Sequence, residues 1–456
     1  MSRPCGAPLS HRGAAGLRPA AAPQRGAARD YSVAALLILL LINTANFFDR
    51  QILAAVTEPI RREWNLTDTQ IGWLGTAFTL LYALAGLPLG RLADIRSRKR
   101  LLAIGVAVWS GLTFVSGLTR GFWQLFAARL GVGVGEAVCA PASTSMIGDL
   151  FPPQQRARAL SVFMIGLPAG VALSYIVSGA IAQAFGWQAA FFVAGIPGFV
   201  LALAALFIHE PIRGAKEPGQ AASLRVVLSQ PAIWWIVVSG ALHNFGMYAL
   251  TAFLPALLMR YHGVSVQTAG SISGIAIGIV GGCGMLSAGW LADRVFRTRP
   301  GNRLLVAAFA ILISAPAIYL ALEQPRGSVG KFLLLLATAC FLLYSYYGVV
   351  YAAIQDIVPP ALRGTTMAIY LFAMYVLGAS LGPVGMGWLS DYFAGGAAAT
   401  ETARALGLHR AMYVIPVIGL VLALVLFRAA RDTGFEQRIQ NSGFRRFEWR
   451  GKRGKQ

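Results

Sequence analysis

Apolar residues along this chain gather in runs of about 20, long enough to cross the hydrocarbon core of a bilayer as helices, while polar residues collect between the runs. The runs predict helices at residues 31–57, 69–90, 101–119, 122–147, 158–183, 188–208, 231–259, 266–289, 304–322, 332–355, 364–390 and 409–428. The longest polar connection, residues 209–230, carries Glu210, Pro211, Arg213, Lys216, Glu217 and Pro218 and divides the helices six and six. The expected organisation is a basic disordered tail (1–30), a six-helix lobe (31–208), a cytoplasmic linker (209–230), a second six-helix lobe (231–430) and a basic tail (431–456).

Two strings occur twice. Gly90-Arg91-Leu92-Ala93-Asp94 returns as Gly289-Trp290-Leu291-Ala292-Asp293, and Asp149-x-x-Pro152-Pro153-x-x-Arg156 returns as Asp356-x-x-Pro359-Pro360-x-x-Arg363. Both repeats lie roughly 200 residues apart in a chain of 456, so one hydrophobic unit has been duplicated. The expected fold class is an all-α integral membrane protein with twelve transmembrane helices in two pseudo-symmetric six-helix lobes, an architecture of secondary transporters.

Composition excludes the soluble classes. With 56% apolar and only 12% charged residues, the chain lacks the polar surface to cover itself in water. Lys and Arg favour the tails and the loops on one side, which by the positive-inside bias puts both termini in the cytoplasm, with a bacterial inner membrane as the expected location. The net charge of +21 is spread over those segments and suits anionic lipid headgroups; no single basic face invites nucleic acid.

Cys139, Cys283 and Cys340 fall inside helices and Cys5 in the tail, so neither disulfides nor a metal site is expected. The five histidines form no cluster, no nucleophile has a base beside it, and no Gly-x-x-x-x-Gly-Lys-Ser/Thr loop is present. An enzyme, a cofactor and direct ATP drive are therefore not expected, and the expected unit is a monomer.

An ionised side chain at the centre of a membrane helix costs about 2.5–3.5 kcal/mol, so charges there concentrate at functional sites. Asp49 and Arg50 in helix 1 and Arg129 and Glu136 in helix 4 lie deep in the spans and are expected to form one polar site. Arg129, Gly133 and Glu136 share one helical stripe, and Asn43, Asn46 and Arg50 share another. Asp49 and Arg129 sit at matching depths, about 12 Å below the outer surface at about 1.5 Å per residue, and can pair either as a staple or as part of the mechanism. Glu136, about two turns deeper, suits a carboxyl that takes and loses a proton.

The second lobe has no charge at such depth. Its polar candidates are His243 and Asn244 in helix 7, Tyr347 and Tyr351 in helix 10 and Tyr370 in helix 11. A charged wall opposite an aromatic one fits an amphiphile whose polar or anionic head meets Arg50 or Arg129; alternatively, the tyrosines lie at interfaces or between helices.

Gly90-Arg91-Leu92-Ala93-Asp94-Ile95-Arg96-Ser97-Arg98-Lys99 resembles the signature between helices 2 and 3 of the major facilitator superfamily, matching at Gly90, Asp94 and Arg98. Within that superfamily, Asn46-Phe47-Phe48-Asp49-Arg50, Arg129-x-x-x-Gly133-Val134-Gly135-Glu136-Ala137 and Gly148-Asp149-Leu150-Phe151 resemble the spinster-like transporters. The resemblance implies alternating access and proton-linked movement of lysolipids or sphingoid phosphates, with Asp49, Arg50, Arg129 and Glu136 as coupling and head-group residues.

The expected function is thus proton-coupled secondary transport of an amphiphilic, lipid-like substrate. A small organic anion or drug-like compound is the alternative cargo, and a non-transporting sensor or scaffold the alternative of another class. The cytoplasmic gate is expected at Gly90, Asp94, Arg98, Asp149, Arg156, Asp293, Asp356 and Arg363. There Asp94 would face the positive N-terminus of helix 11, Asp293 that of helix 5, and Asp149 with Arg156 and Asp356 with Arg363 would add charged contacts at the mouth.

Overall fold

The computed structural model describes residues 25–210, 230–296, 303–358, 362–396 and 399–453, and not the side chains of 25–30, 289, 292, 293, 295, 296, 364 and 434–453. Among the described residues, twelve helices are long and apolar enough to cross a membrane. They are α1 (Tyr31–Trp64), α2 (Asp68–Ile95), α3 (Arg98–Ser116), α4 (Phe122–Leu150), α5 (Pro153–Phe185), α6 (Trp187–Phe207), α7 (Pro231–Tyr261), α8 (Val266–Ala288), α9 (Arg303–Leu322), α10 (Val329–Ile357), α11 (Thr365–Ala394) and α12 (Glu401–Thr433). Residues 1–24 and the linker residues 211–229 lie outside the described residues.

Each expected run is a helix, but several run past their expected ends. The first begins at Arg25, inside the segment read as a disordered tail, where Ala27 and Ala28 favour continuation; the last continues to Arg453. At the other end α1 reaches Trp64 because its polar residues Glu58 and Arg61 find partners in the protein. Asn65, at a φ of 49°, then turns the chain, and the Thr67–Gln70 capping box starts α2.

Helices α4, α8 and α11 are among those that depart from regular α geometry. In α4 the helix breaks after Glu136 and resumes at Cys139. In α8 and α11 it widens to a π-helix over Gly274–Val280 and Met374–Ala379, a device that re-aims side chains and often marks functional segments. Large apolar side chains such as Leu37, Ile104, Val200, Leu334 and Leu424 remain exposed around the bundle, as lipid solvation requires.

The two lobes do not meet evenly. At the end carrying the α1–α2 turn, one buried apolar cluster runs from Val56, Ile60 and Leu74 of the first lobe to Leu254, Leu257 and Leu258 of the second. Toward the α2–α3 end, a separate cluster around Leu39, Leu102, Trp109 and Met146 stays within the first lobe. Helices α2 and α11 cross so closely near the α1–α2 end that a methyl at Gly72 would strike the backbone of Pro383. The hydroxyl of Thr76 donates across this crossing to the Ser380 carbonyl at 2.5 Å.

Candidate functional site

The buried charges of α1 and α4 converge, and of the two arginines expected to contact Glu136, Arg50 and Arg129, it is Arg50 that forms the ion pair. Arg50 Nε donates to Glu136 Oε2 at 2.9 Å, with both side chains buried. The Arg50 guanidinium also lies over the rings of Tyr82, 4.1 Å away, and Phe47, 4.8 Å away, whose π faces favour a cation. The helix break after Glu136 leaves this carboxylate at the end of the first half of α4.

Asp49 is one residue from Arg50, hence about 100° around the helix, and it faces α3 instead. Its Oδ2 accepts from Thr113 Oγ1 at 3.1 Å. The expected Asp49–Arg129 ion pair is not formed: Arg129 lies over Phe78 at 5.1 Å, and its Nε and Nη1 have no hydrogen-bond partner. Burying a guanidinium this way costs several kcal/mol, so the centre holds an arginine with unused bonding capacity. A cavity of about 50 Å³ opens beside Arg50 and Arg129 and reaches Tyr248 and Thr251 of the second lobe.

The expected cavity residues fall into different places. Asn43 donates to the Phe163 carbonyl at 2.9 Å and so ties α1 to α5. The Asn46 amide nitrogen is buried without a partner. Gly133 is closed off by the α2 backbone at Phe78, which makes it a packing glycine instead of a cavity wall.

In the second lobe, His243 stacks on Tyr346 with ring centres 4.0 Å apart, and both its nitrogens lack partners. Asn244 donates to the Gly240 carbonyl at 3.0 Å and accepts from Tyr347 at 3.2 Å. Tyr370 shares a 3.1 Å hydroxyl contact with Tyr346, and its ring meets that of Tyr351 at 5.8 Å. These residues form one contiguous aromatic patch.

The aromatic groups nearest the charges are others. Tyr82, under Arg50, meets Tyr375 at 5.3 Å, and Tyr375 meets Tyr248 at 6.4 Å, which carries the contact into the second lobe. Sequence reasoning missed Tyr82 and Thr113. Tyr82 follows Phe78 by one helical turn on α2 and could have been found by that spacing.

At the α2–α3 end, the aspartate and arginine of the repeated motif make corresponding contacts in both lobes, but not the expected charged contacts with each other. Arg156 Nε donates to the Phe151 carbonyl at 3.0 Å, and Arg363 Nε to the Val358 carbonyl at 3.3 Å. Asp149 pairs with Arg98 at 2.5 Å, and Asp356 with Arg303 at 3.5 Å. The aspartate therefore holds the start of the third helix of its own lobe, and the arginine folds back on its own turn. Asp94 is exposed at the end of α2 near Gly90, whose Cβ position is open. Residues 359–361, ahead of α11, and the side chain of Asp293 lie outside the described residues.

The α1–α2 end holds a charged network that sequence analysis did not single out. Arg260 of α7 donates to Glu58 at 2.6 Å and grips both oxygens of Asp68 at 2.7 and 2.8 Å. Ser390 donates to Asp68 at 2.6 Å, and Asp391 accepts from the backbone amides of Asp68 and Thr69 at 3.0 and 2.8 Å. Arg61 bridges Glu58, at 2.9 Å, and Glu401, at 2.7 Å. Every one of these chains of contacts crosses from one lobe to the other.

The sequence profile of the Major Facilitator Superfamily matches residues 39–383. An "MFS-type efflux pump" of Mycolicibacterium smegmatis is 33% identical over 87% of this chain and 93% of its own length. Protein spinster homolog 1 of Mus musculus is 31% identical over 80% of this chain and 74% of its own. Among solved structures, a bacterial homologue of the human lysosomal transporter Spinster, in an inward-facing and unoccupied conformation, superposes with a TM-score of 0.79 at 28% identity, covering 89% of this chain and 98% of that one.

Proposed function

The chain belongs to the Major Facilitator Superfamily, is spinster-like and is a membrane transporter, not an enzyme; from that premise we propose that it couples proton movement to the passage of an amphiphilic, lipid-like substrate of the lysolipid or sphingoid phosphate class. The observation that carries this reading is the buried Arg50–Glu136 contact beside Arg129, whose Nε and Nη1 lack hydrogen-bond partners. One carboxylate stands between two cations. When Glu136 takes a proton its hold on Arg50 weakens, and the released guanidinium engages the anionic head of the substrate. Asp49, held by Thr113, balances the remaining charge.

With both termini in the cytoplasm, the α1–α2 end is the outer one, and the bolt formed by Arg260, Asp68 and Asp391 closes the outer mouth. The described form is then inward-facing, and Asp94 and the α2–α3 turn belong to the cytoplasmic gate that closes in the opposite state. A small organic anion or drug-like cargo is the second reading, favoured by the efflux-pump relative and by a "Probable L-galactonate transporter" of Escherichia coli at 25% identity.

Glu136→Gln tests the coupling. In sealed vesicles, proton-dependent uptake should collapse while the purified variant keeps its helical content and thermal stability. Uptake with an unchanged pH dependence would sink the mechanism.

A further inference from the structure

We propose that the cavity beside Arg129 is a binding site for a small anion, halide-sized or the terminal group of a larger anion, and that it exists only while the α1–α2 end is shut. Its walls carry two guanidiniums, Arg50 and Arg129, and no carboxylate. The hydroxyls of Thr57, Thr79 and Thr251 already donate to carbonyls of their own helices, at 2.7, 2.9 and 3.2 Å. The buried side-chain atoms of this wall that lack a hydrogen-bond partner are all donors: Nη1 of Arg50, and Nε and Nη1 of Arg129.

Two positive groups with unused N–H bonds repel a cation and reward an anion, which gains charge-assisted bonds in a place where water solvates the guanidiniums poorly. A volume of about 50 Å³ admits a few waters or one small ion with a water, but not the body of a lipid-like substrate. The wall is also built from both lobes, Thr57 and Thr79 on one side and Thr251 and Ala252 on the other. An anion seated here has contacts that vanish when the lobes part, so it stabilises the closed α1–α2 end by its differential affinity. This goes beyond the coupling proposal, and because it is read by binding, it is decided separately from the transport test of Glu136.

The experiment uses the purified full chain in detergent, free of added lipid, at fixed ionic strength. Replacing gluconate with bromide should raise Tm saturably, and crystals grown in bromide should show an anomalous peak within hydrogen-bond distance of Arg129. Arg129→Gln should lose the response. Ala252→Leu, which fills the cavity without touching a charge, should lose it as well and guards against a variant that merely misfolds. If a short alkyl phosphate stabilises the wild type but neither variant, and bromide does nothing, the site holds with the substrate's own head as its anion. Absence of stabilisation by either anion, or an undiminished response in Ala252→Leu, would overturn the proposal.

Discussion

The two ends of the bundle use the same chemistry for opposite purposes. At the α2–α3 end, Arg98 with Asp149 and Arg303 with Asp356 tie helices of one lobe together. At the α1–α2 end, Arg260 with Glu58 and Asp68, and Arg61 with Glu401, tie one lobe to the other. An ion pair within a rigid body cannot bias the motion of that body, whereas one across a moving interface exists in only one of the two states and sets their balance. The duplicated Asp149 and Asp356 act inside their own lobes, whereas the unduplicated charges of the α1–α2 end span the two lobes.

The largest effect should follow from Arg260→Gln, which leaves Glu58 and Asp68 facing each other without their shared cation. Removing one partner of a buried pair costs about 3–5 kcal/mol, and the strain is relieved by parting the lobes. Spin labels on the α1–α2 and α7–α8 turns should report a shift from the short to the long distance by a factor of about 100 to 4,000 in population, at about 1.4 kcal/mol per tenfold. An unchanged distance distribution would mean that the network does not hold the gate.

Asp391→Asn sharpens the comparison at a smaller scale. The side chain accepts from two backbone amides and from Thr69 Oγ1 at 2.6 Å, capping α2 from the opposite lobe. An amide keeps one acceptor oxygen and loses the charge, so the closed end should weaken by about 1–2 kcal/mol. The same label pair should show a partial shift, and none would indicate that the cap is not specific to the closed state.

Arg156→Gln is the internal control. It removes an exposed arginine whose bond returns to its own turn, so the change in stability should stay within about 1 kcal/mol. The distance across the α1–α2 end should not move. A shift comparable to that of Asp391→Asn would erase the distinction between staple and gate.

The number of helices, their order and the duplication were legible in the sequence because length, apolar runs and repeat spacing are covalent facts. The convergence of α1 and α4 was legible as well, since four deep charges can be tolerated only together. Which charge meets which was not: Asp49 and Arg50 are neighbours in sequence yet point about 100° apart, and only the rotation of α1 decides that Arg50 reaches Glu136 while Asp49 reaches Thr113. The α1–α2 network was illegible for another reason. Glu58, Arg61, Asp68 and Arg260 sit at span ends, where charges ordinarily face water and headgroups, and they acquire meaning only when the lobes dock.

The smallest expected effect concerns the start of the linker, just outside the spans. Burial alone would push the Glu210 carboxyl up, but the hydroxyl of Ser97, the backbone amide of Arg98 at 2.6 Å and its guanidinium at 3.4 Å outweigh it and hold the group below its ordinary value of 4.5. A carboxylate whose value falls on folding stabilises the fold above its unfolded value and loses that contribution as pH drops through the lowered one. The linker anchor should therefore be intact at neutral pH and released only below about 4.5, with protection of the amides around Ser97 from hydrogen exchange falling in that window. Glu210→Gln should remove the pH dependence and leave the α1–α2 distance untouched, because Glu210, Ser97 and Arg98 all belong to the same side of the molecule. A variant that instead opened the far end would show that the linker reaches across the membrane to the gate, and the separation between the two ends would fail.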